Sequence, residues 1–102
     1  MTDREKINRV HAFCLRLEED AQHGVDSAQR VPDSEELAKA RDTLRSARRA
    51  VAITDAARDG DEGAVAACLK VWDRMNEDPL WALVKIICEE GPAVDVAKKG
   101  EA

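Results

Sequence analysis

Apolar residues in this chain recur every three or four positions, and no long stretch alternates with period two. Ile7, Val10, Cys14, Leu17 and Ala21 set the pattern near the N-terminus. That spacing lines them up as one stripe on an α-helix, with Phe13 at its edge. It offers a β-sheet no alternating face to bury. The fold class that follows is all-α, a compact bundle of about four helices.

The first helix, α1, is expected over residues 3–22. Thr2 and Glu5 form a capping-box pattern at its start, and Gly24 is a natural stop. Residues 25–32 read as a linker, because Pro32 disfavours helical geometry at Val31. The second helix, α2, is expected over 33–59, capped by Asp33 or Ser34. Glu35 and Glu36 in its first turn suit the helix dipole. Leu37, Ala40, Leu44, Ala47 and Val51 form its stripe, and the alternation of large and small residues lets a neighbour approach closely. Beyond Val51 the pattern changes. Asp55 and Arg58 fall where the stripe should continue, whereas Ile53 and Ala57 point elsewhere. Either α2 bends near residues 52–54, or its last turns meet a different neighbour. Gly60 ends it.

The third helix, α3, is expected over 61–76 with Asp61 as cap. Ala64, Val65, Cys68, Val71, Trp72 and Met75 give it a wide apolar face. The fourth, α4, is expected over 79–90, with Asp78 as cap and Pro79 at the first helical position. Only Lys85, Glu89 and Glu90 are polar in it, so α4 should be central or covered by a partner. Gly91 and Pro92 end it, and residues 93–102 read as a disordered tail. Residues 1–92 then make a single helical domain. The short α3–α4 pair is expected end to end or as a V against an α1–α2 hairpin. A three-helix core with one displaced helix is the alternative.

Composition decides how firmly such a bundle can hold. Leu, Ile, Val and Phe number 21 among 102 residues, near the roughly 20% below which chains tend to disorder. The net charge of −5 is modest and opposes disorder. The core is therefore thin, and a thin core with an apolar α4 favours a homodimer or another protein partner. The charged N-terminus has no apolar stretch behind it, which excludes a secretory signal in this sequence. The longest apolar run, 80–84 followed by 86–88, is far short of the ~20 residues of a membrane span. Three widely spaced cysteines do not make a disulfide framework, so reduced thiols and a cytoplasmic location are expected.

The chemistry-bearing residues converge on no catalytic pattern. His11 and Cys14 are i, i+3 neighbours, and Cys68 and Cys88 could complete a four-ligand zinc site. No C-x-x-C pair supports it, and Cys14 and Cys68 fall on apolar stripes, where thiols pack as small hydrophobes. Neither a metal nor a cofactor is expected. The adjacent acidic pairs, such as Glu35–Glu36 and Glu89–Glu90, diverge by about 100° on a helix and cannot act as a dyad. A calcium loop starting at Asp55 fails at Ala57 and Ala66, where ligands are needed. No nucleophile elbow, phosphate loop or nucleotide fingerprint occurs. The reading is of a protein without catalytic residues or a small-molecule substrate.

Two surfaces remain. Arg41, Arg45, Arg48 and Arg49 form a stripe beside the apolar face of α2. Residues 37–58 carry six positive and two negative charges, a net of +4, and residues 59–90 carry three positive and eight negative, a net of −5. The stripe can meet an anion or an acidic partner, although the acidic sequence pI and the scarcity of aromatic residues do not favour nucleic acid. On α4, Trp81, Leu83, Val84 and Ile87 are the candidate partner-binding residues, and exposure of Trp81 would mark a binding anchor. The expected function is that of a small acidic interaction protein, a regulator, adaptor or inhibitor, encoded by a cell or by a phage or other mobile element. The alternatives are a nucleic-acid binder using the arginine stripe and a metal or thiol protein using His11 and the three cysteines.

Overall fold

A computed structural model describes residues 1–30 and 34–93. Among these residues the chain forms four α-helices and no strand: α1 (Asp3–Ala28), α2 (Ser34–Arg58), α3 (Glu62–Arg74) and α4 (Leu80–Glu90). Helices α1 and α2 make a long hairpin. Helix α3 packs across both of them, and α4 lies against α2 and α3. The molecule measures 46 × 32 × 19 Å, and its long dimension is close to the ~39 Å that 26 helical residues span.

The start of α1 follows the expected chemistry. The Thr2 hydroxyl accepts from the Glu5 backbone N–H at 3.2 Å, and it donates to the Glu5 carboxylate at 3.3 Å. The end of α1 departs from expectation. The helix runs through Gly24 and stops six residues beyond position 22. Val25 and Ala28 extend the stripe of Ile7, Val10, Cys14, Leu17 and Ala21, and both are buried. Their burial outweighs the roughly 1 kcal/mol that a glycine costs inside a helix. The linker is correspondingly shorter than residues 25–32.

Helix α2 ends at Gly60, whose φ of +100° suits only glycine well. The Gly60 N–H donates to the Ala57 carbonyl and the Asp61 N–H to the Ala56 carbonyl, which closes a Schellman motif. Asp61 then caps α3 as expected, accepting from Ala64 N–H at 2.9 Å. At α4 the capping differs. Pro79 occupies the cap position and no side chain caps the helix, while Asp78 reaches back to Arg74 at 3.7 Å. The α2 cap expected from the Asp33 or Ser34 side chain, and the tail from residue 94, lie outside the described residues.

The core has two parts. Ile7, Val10, Cys14 and Leu17 meet Ala50, Ile53 and Ala57, together with Ala64, Ala67, Cys68 and Val71 of α3 and Leu83, Val84 and Ile87 of α4. The smaller part holds Ala21 and Val25 against Leu44 and Ala47, with Leu37 and Ala40 at its margin. The hairpin therefore has a four-helix end and a two-helix stem. The change of pattern after Val51 is a change of neighbours: Ile53 and Ala57 turn toward α3 and α4. Lys70 Nζ and Glu90 Oε1, 2.8 Å apart, join α3 to the end of α4.

Two glycines should respond oppositely to alanine. A Cβ on Gly91 would stand 2.7 Å from Ile53 Cγ2 and from the Ile87 carbonyl oxygen, whereas a Cβ on Gly24 meets nothing within 4 Å. Gly24→Ala should raise the unfolding free energy by about 0.5–1 kcal/mol. Gly91→Ala should lower it by about 1–3 kcal/mol through overpacking. Urea denaturation of both variants checks the signs.

Candidate functional site

Polar chemistry inside the bundle is concentrated where α1 crosses the C-terminal half of α2. His11 is 8% exposed and Thr54 is fully buried. His11 Nδ1 lies 2.7 Å from Thr54 Oγ1, and the Thr54 hydroxyl donates to the Val51 carbonyl at 2.9 Å. A hydroxyl has one proton. With that proton on Val51, Thr54 accepts from His11 Nδ1–H; with it turned to His11, Thr54 donates to Nδ1 and the neutral ring carries its proton on Nε2. His11 Nε2 faces the partly exposed Asp55 carboxylate at 3.5 Å, an acceptor that favours a proton on Nε2. Burial pushes the His11 pKa below 6.5; the Asp55 carboxylate opposes this and the Arg58 guanidinium adds to it. Hydroxyl, imidazole and carboxylate stand in the order of a nucleophilic triad. Thr54 is nevertheless sealed from solvent, so the array serves to tie α1 to α2.

The sequence pairs His11 with Cys14 as possible ligands. The structure turns His11 toward α2 and gathers the thiols separately. Cys68 of α3 and Cys88 of α4 both lie near enough to Cys14 of α1 to influence it. All three are free. Burial pushes the Cys14 thiol up to about 12, reinforced by Cys68 and Cys88, and burial pushes Cys68 up to about 11. Cys88 is also raised by burial, against the lowering influence of Arg49, and its thiol donates to the Ser46 carbonyl at 3.6 Å. Protonated at neutral pH, these sulfurs pack as apolar groups. Among the described residues, no three His, Cys, Asp or Glu side chains are placed to hold a metal ion.

The four α4 residues singled out for partner binding part company. Leu83, Val84 and Ile87 are buried within this chain. They hold α4 on α2 and α3, which removes Leu83 and Ile87 from any contact surface. Trp81 is 44% exposed and the preceding Leu80 is 52% exposed. Trp81 forms one wall of an open groove of about 480 Å³ between α2 and α4. Val84 and Cys88 contribute apolar lining, Thr43 and Ser46 supply the α2 side, and Asp42, Lys85 and Glu89 complete the lining. Trp72, by contrast, is partly buried against the core.

The arginine stripe divides too. Arg48 Nη2 donates to Gln22 Oε1 across the hairpin at 3.2 Å, and Arg45 meets Asp42 at 3.4 Å. Arg48 also borders a second open groove of about 520 Å³, with Leu15, Glu18, Glu19, Gln22 and His23 on its α1 side. Arg41 and Arg49 are exposed, and no ion pair holds them among the described residues. The basic stripe thus borders the acidic run of α1, and part of its charge is met within the chain.

Sequence reasoning did not find Thr54 as the His11 partner, or Asp42, Thr43 and Ser46 as the far wall of the Trp81 groove. The signal for the first was present: polar residues at 54 and 55 interrupt an apolar stripe. The second needed the packing of α4 on α2. No family model, no curated protein and no solved structure matches the chain. Among the described residues, no helix is long and apolar enough to cross a membrane.

The pH dependence of stability tests the buried histidine. Its folded pKa lies below the ordinary 6.5, so the unfolded chain takes up the proton first. The stabilising effect is complete above about pH 6.5 and is lost as pH falls from there toward the folded value. His11→Asn retains a donor toward Thr54 without a titrating ring. The wild type should therefore lose more stability than His11→Asn between pH 7 and pH 5, measured by denaturant midpoints. Parallel losses would contradict the assignment. Thr54→Val leaves buried His11 Nδ1 without its hydrogen-bond partner and should cost about 1–3 kcal/mol.

Proposed function

We propose that this chain is a non-enzymatic interaction module of the cytoplasm, a regulator, adaptor or inhibitor that works through the α2–α4 face. The observation that carries the reading is the exposure of Trp81 beside an open groove on a helix whose other large side chains are mostly buried. Tryptophan joins a large apolar area to one N–H donor, and it is enriched among residues that dominate binding energy. A folded chain this short has few large apolar side chains to spare, so two adjacent exposed ones at the start of α4 call for a use.

A nucleic-acid reading through Arg41, Arg45, Arg48 and Arg49 is less well supported, because Arg45 and Arg48 already have partners in the chain. Binding of that kind would fall steeply as salt rises.

The test separates binding from folding. Trp81→Glu should keep the helical circular-dichroism signal and the thermal midpoint near wild type. It should also abolish retention of the binding partner on the immobilised protein. Leu83→Ala should instead destabilise the fold by about 2–5 kcal/mol, as large-to-small changes in a core do. A folded Trp81→Glu variant that retains the same proteins as wild type would contradict the proposal.

A further inference from the structure

The Thr54 hydroxyl has two acceptors for its proton within hydrogen-bond distance. His11 Nδ1 lies 2.7 Å away across the hairpin, and the Val51 carbonyl lies 2.9 Å away within α2. One proton serves one of them at a time, and the state of His11 selects which. When the neutral ring has its hydrogen on Nε2, toward Asp55 at 3.5 Å, the bare Nδ1 accepts from Thr54. When the ring takes a second proton, Nδ1 becomes a donor. The Thr54 oxygen receives that bond once its own proton turns to the Val51 carbonyl. Both ring nitrogens then donate, one to a hydroxyl and one to a carboxylate.

The surroundings bear unequally on the two states. Burial opposes the charged ring, the Asp55 carboxylate favours it and the Arg58 guanidinium opposes it. Both of these charges stand on α2. What α1, α3 and α4 add to the adjoining core is apolar, apart from Cys14 and Cys68, whose thiols burial keeps protonated. A buried imidazolium without partners for its N–H groups would force the helix pair apart. Here partners stand ready for both states, and only a hydroxyl hydrogen has to turn between them. We infer that His11, Thr54 and Val51 form a proton-responsive coupling: on acidification His11 takes up one proton in place, the Thr54 hydroxyl turns from the ring to the Val51 carbonyl, and the α1–α2 crossing stays closed. The proton comes from solvent, no bond between heavy atoms is made or broken, and the ring gains one positive charge beside Asp55. The coupling draws on neither the Trp81 groove nor a partner. It is the opposite of an acid-triggered release, in which the ring would be protonated only on leaving the core.

Proton–nitrogen correlation spectra of the imidazole rings in the nitrogen-labelled full chain test the inference, followed from about pH 8 down to about pH 4. The exposed His23 supplies the only other imidazole. The expected wild-type result is the Nε2–H tautomer of His11 at the alkaline end, then a ring protonated on both nitrogens. The backbone amide dispersion of the folded chain should persist through that change. Thr54→Val removes both roles of the hydroxyl. Its His11 midpoint should fall by about one pH unit, because the charged ring loses the stronger hydrogen bond. Thr54→Ser keeps a hydroxyl and should restore the wild-type midpoint. A neutral ring protonated on Nδ1, for which the hydroxyl would already face Val51, would overturn the inference. So would collapse of the amide dispersion at the His11 midpoint, or a folded Thr54→Val that titrates as wild type does. If Thr54→Val does not fold, the wild-type tautomer and dispersion decide.

Discussion

The C-terminal half of α2 is the shared surface on which the other three helices depend. Ala50, Ile53 and Ala57 belong to the core that includes α3 and α4, while Thr54 takes the His11 hydrogen bond from α1. One helix can serve three neighbours here because its buried positions are mostly small. Ala47, Ala50, Ala52 and Ala57 let neighbouring axes come close, and Ile53 supplies the large fully buried side chain at the centre. A chain with few large apolar residues gains its core this way: helices close on alanine, and the few large side chains gather at one end of the hairpin.

The buried polar group fits the same logic. An imidazole placed among apolar side chains is costly unless its donors and acceptors are met. His11 meets Thr54, Thr54 meets the Val51 carbonyl, and no buried side-chain polar atom among the described residues lacks a partner. The bond crosses 43 positions of sequence and falls inside the four-helix end. It fixes the register of α1 on α2 where hydrophobic contact alone would allow sliding. The three thiols, held protonated by burial, fill space in the same region.

Much of this architecture is legible from residue spacing. The stripe on α1, the Thr2 and Asp61 caps and the stop at Gly60 follow from local rules that the fold obeys, and the break in pattern after Val51 is visible in the spacing, although only packing chooses a change of neighbour over a bend. The failures share a cause. Gly24 reads as a stop only when Val25 and Ala28 are taken as linker, and the burial of both, Val25 against Leu44 and Ala47 of α2, is a tertiary fact. Asp78 reads as a cap, but it pairs with Arg74 one turn earlier in the chain. On α4 the apolar composition announces a buried helix without saying which residue stays outside. Packing decides that: Leu83, Val84 and Ile87 face α2 and α3, and Trp81 is left at the edge of the groove. Thr54 as the mate of His11 required the hairpin register, which no local pattern encodes.

The functional reading grows from the same asymmetry. The four-helix end is closed and satisfied, the two-helix stem is thin, and the α2–α4 face presents an indole beside a hollow. Native-state amide hydrogen exchange tests this division of the molecule most directly. Amides of residues 10–17 and 50–57, where α1 and α2 are covered by α3, α4 or both, should exchange last and only through global unfolding. Amides of residues 21–28 and 37–47 in the stem should open earlier. Uniform protection along the hairpin, or earliest exchange at residues 50–57, would contradict the central place given to the C-terminal half of α2.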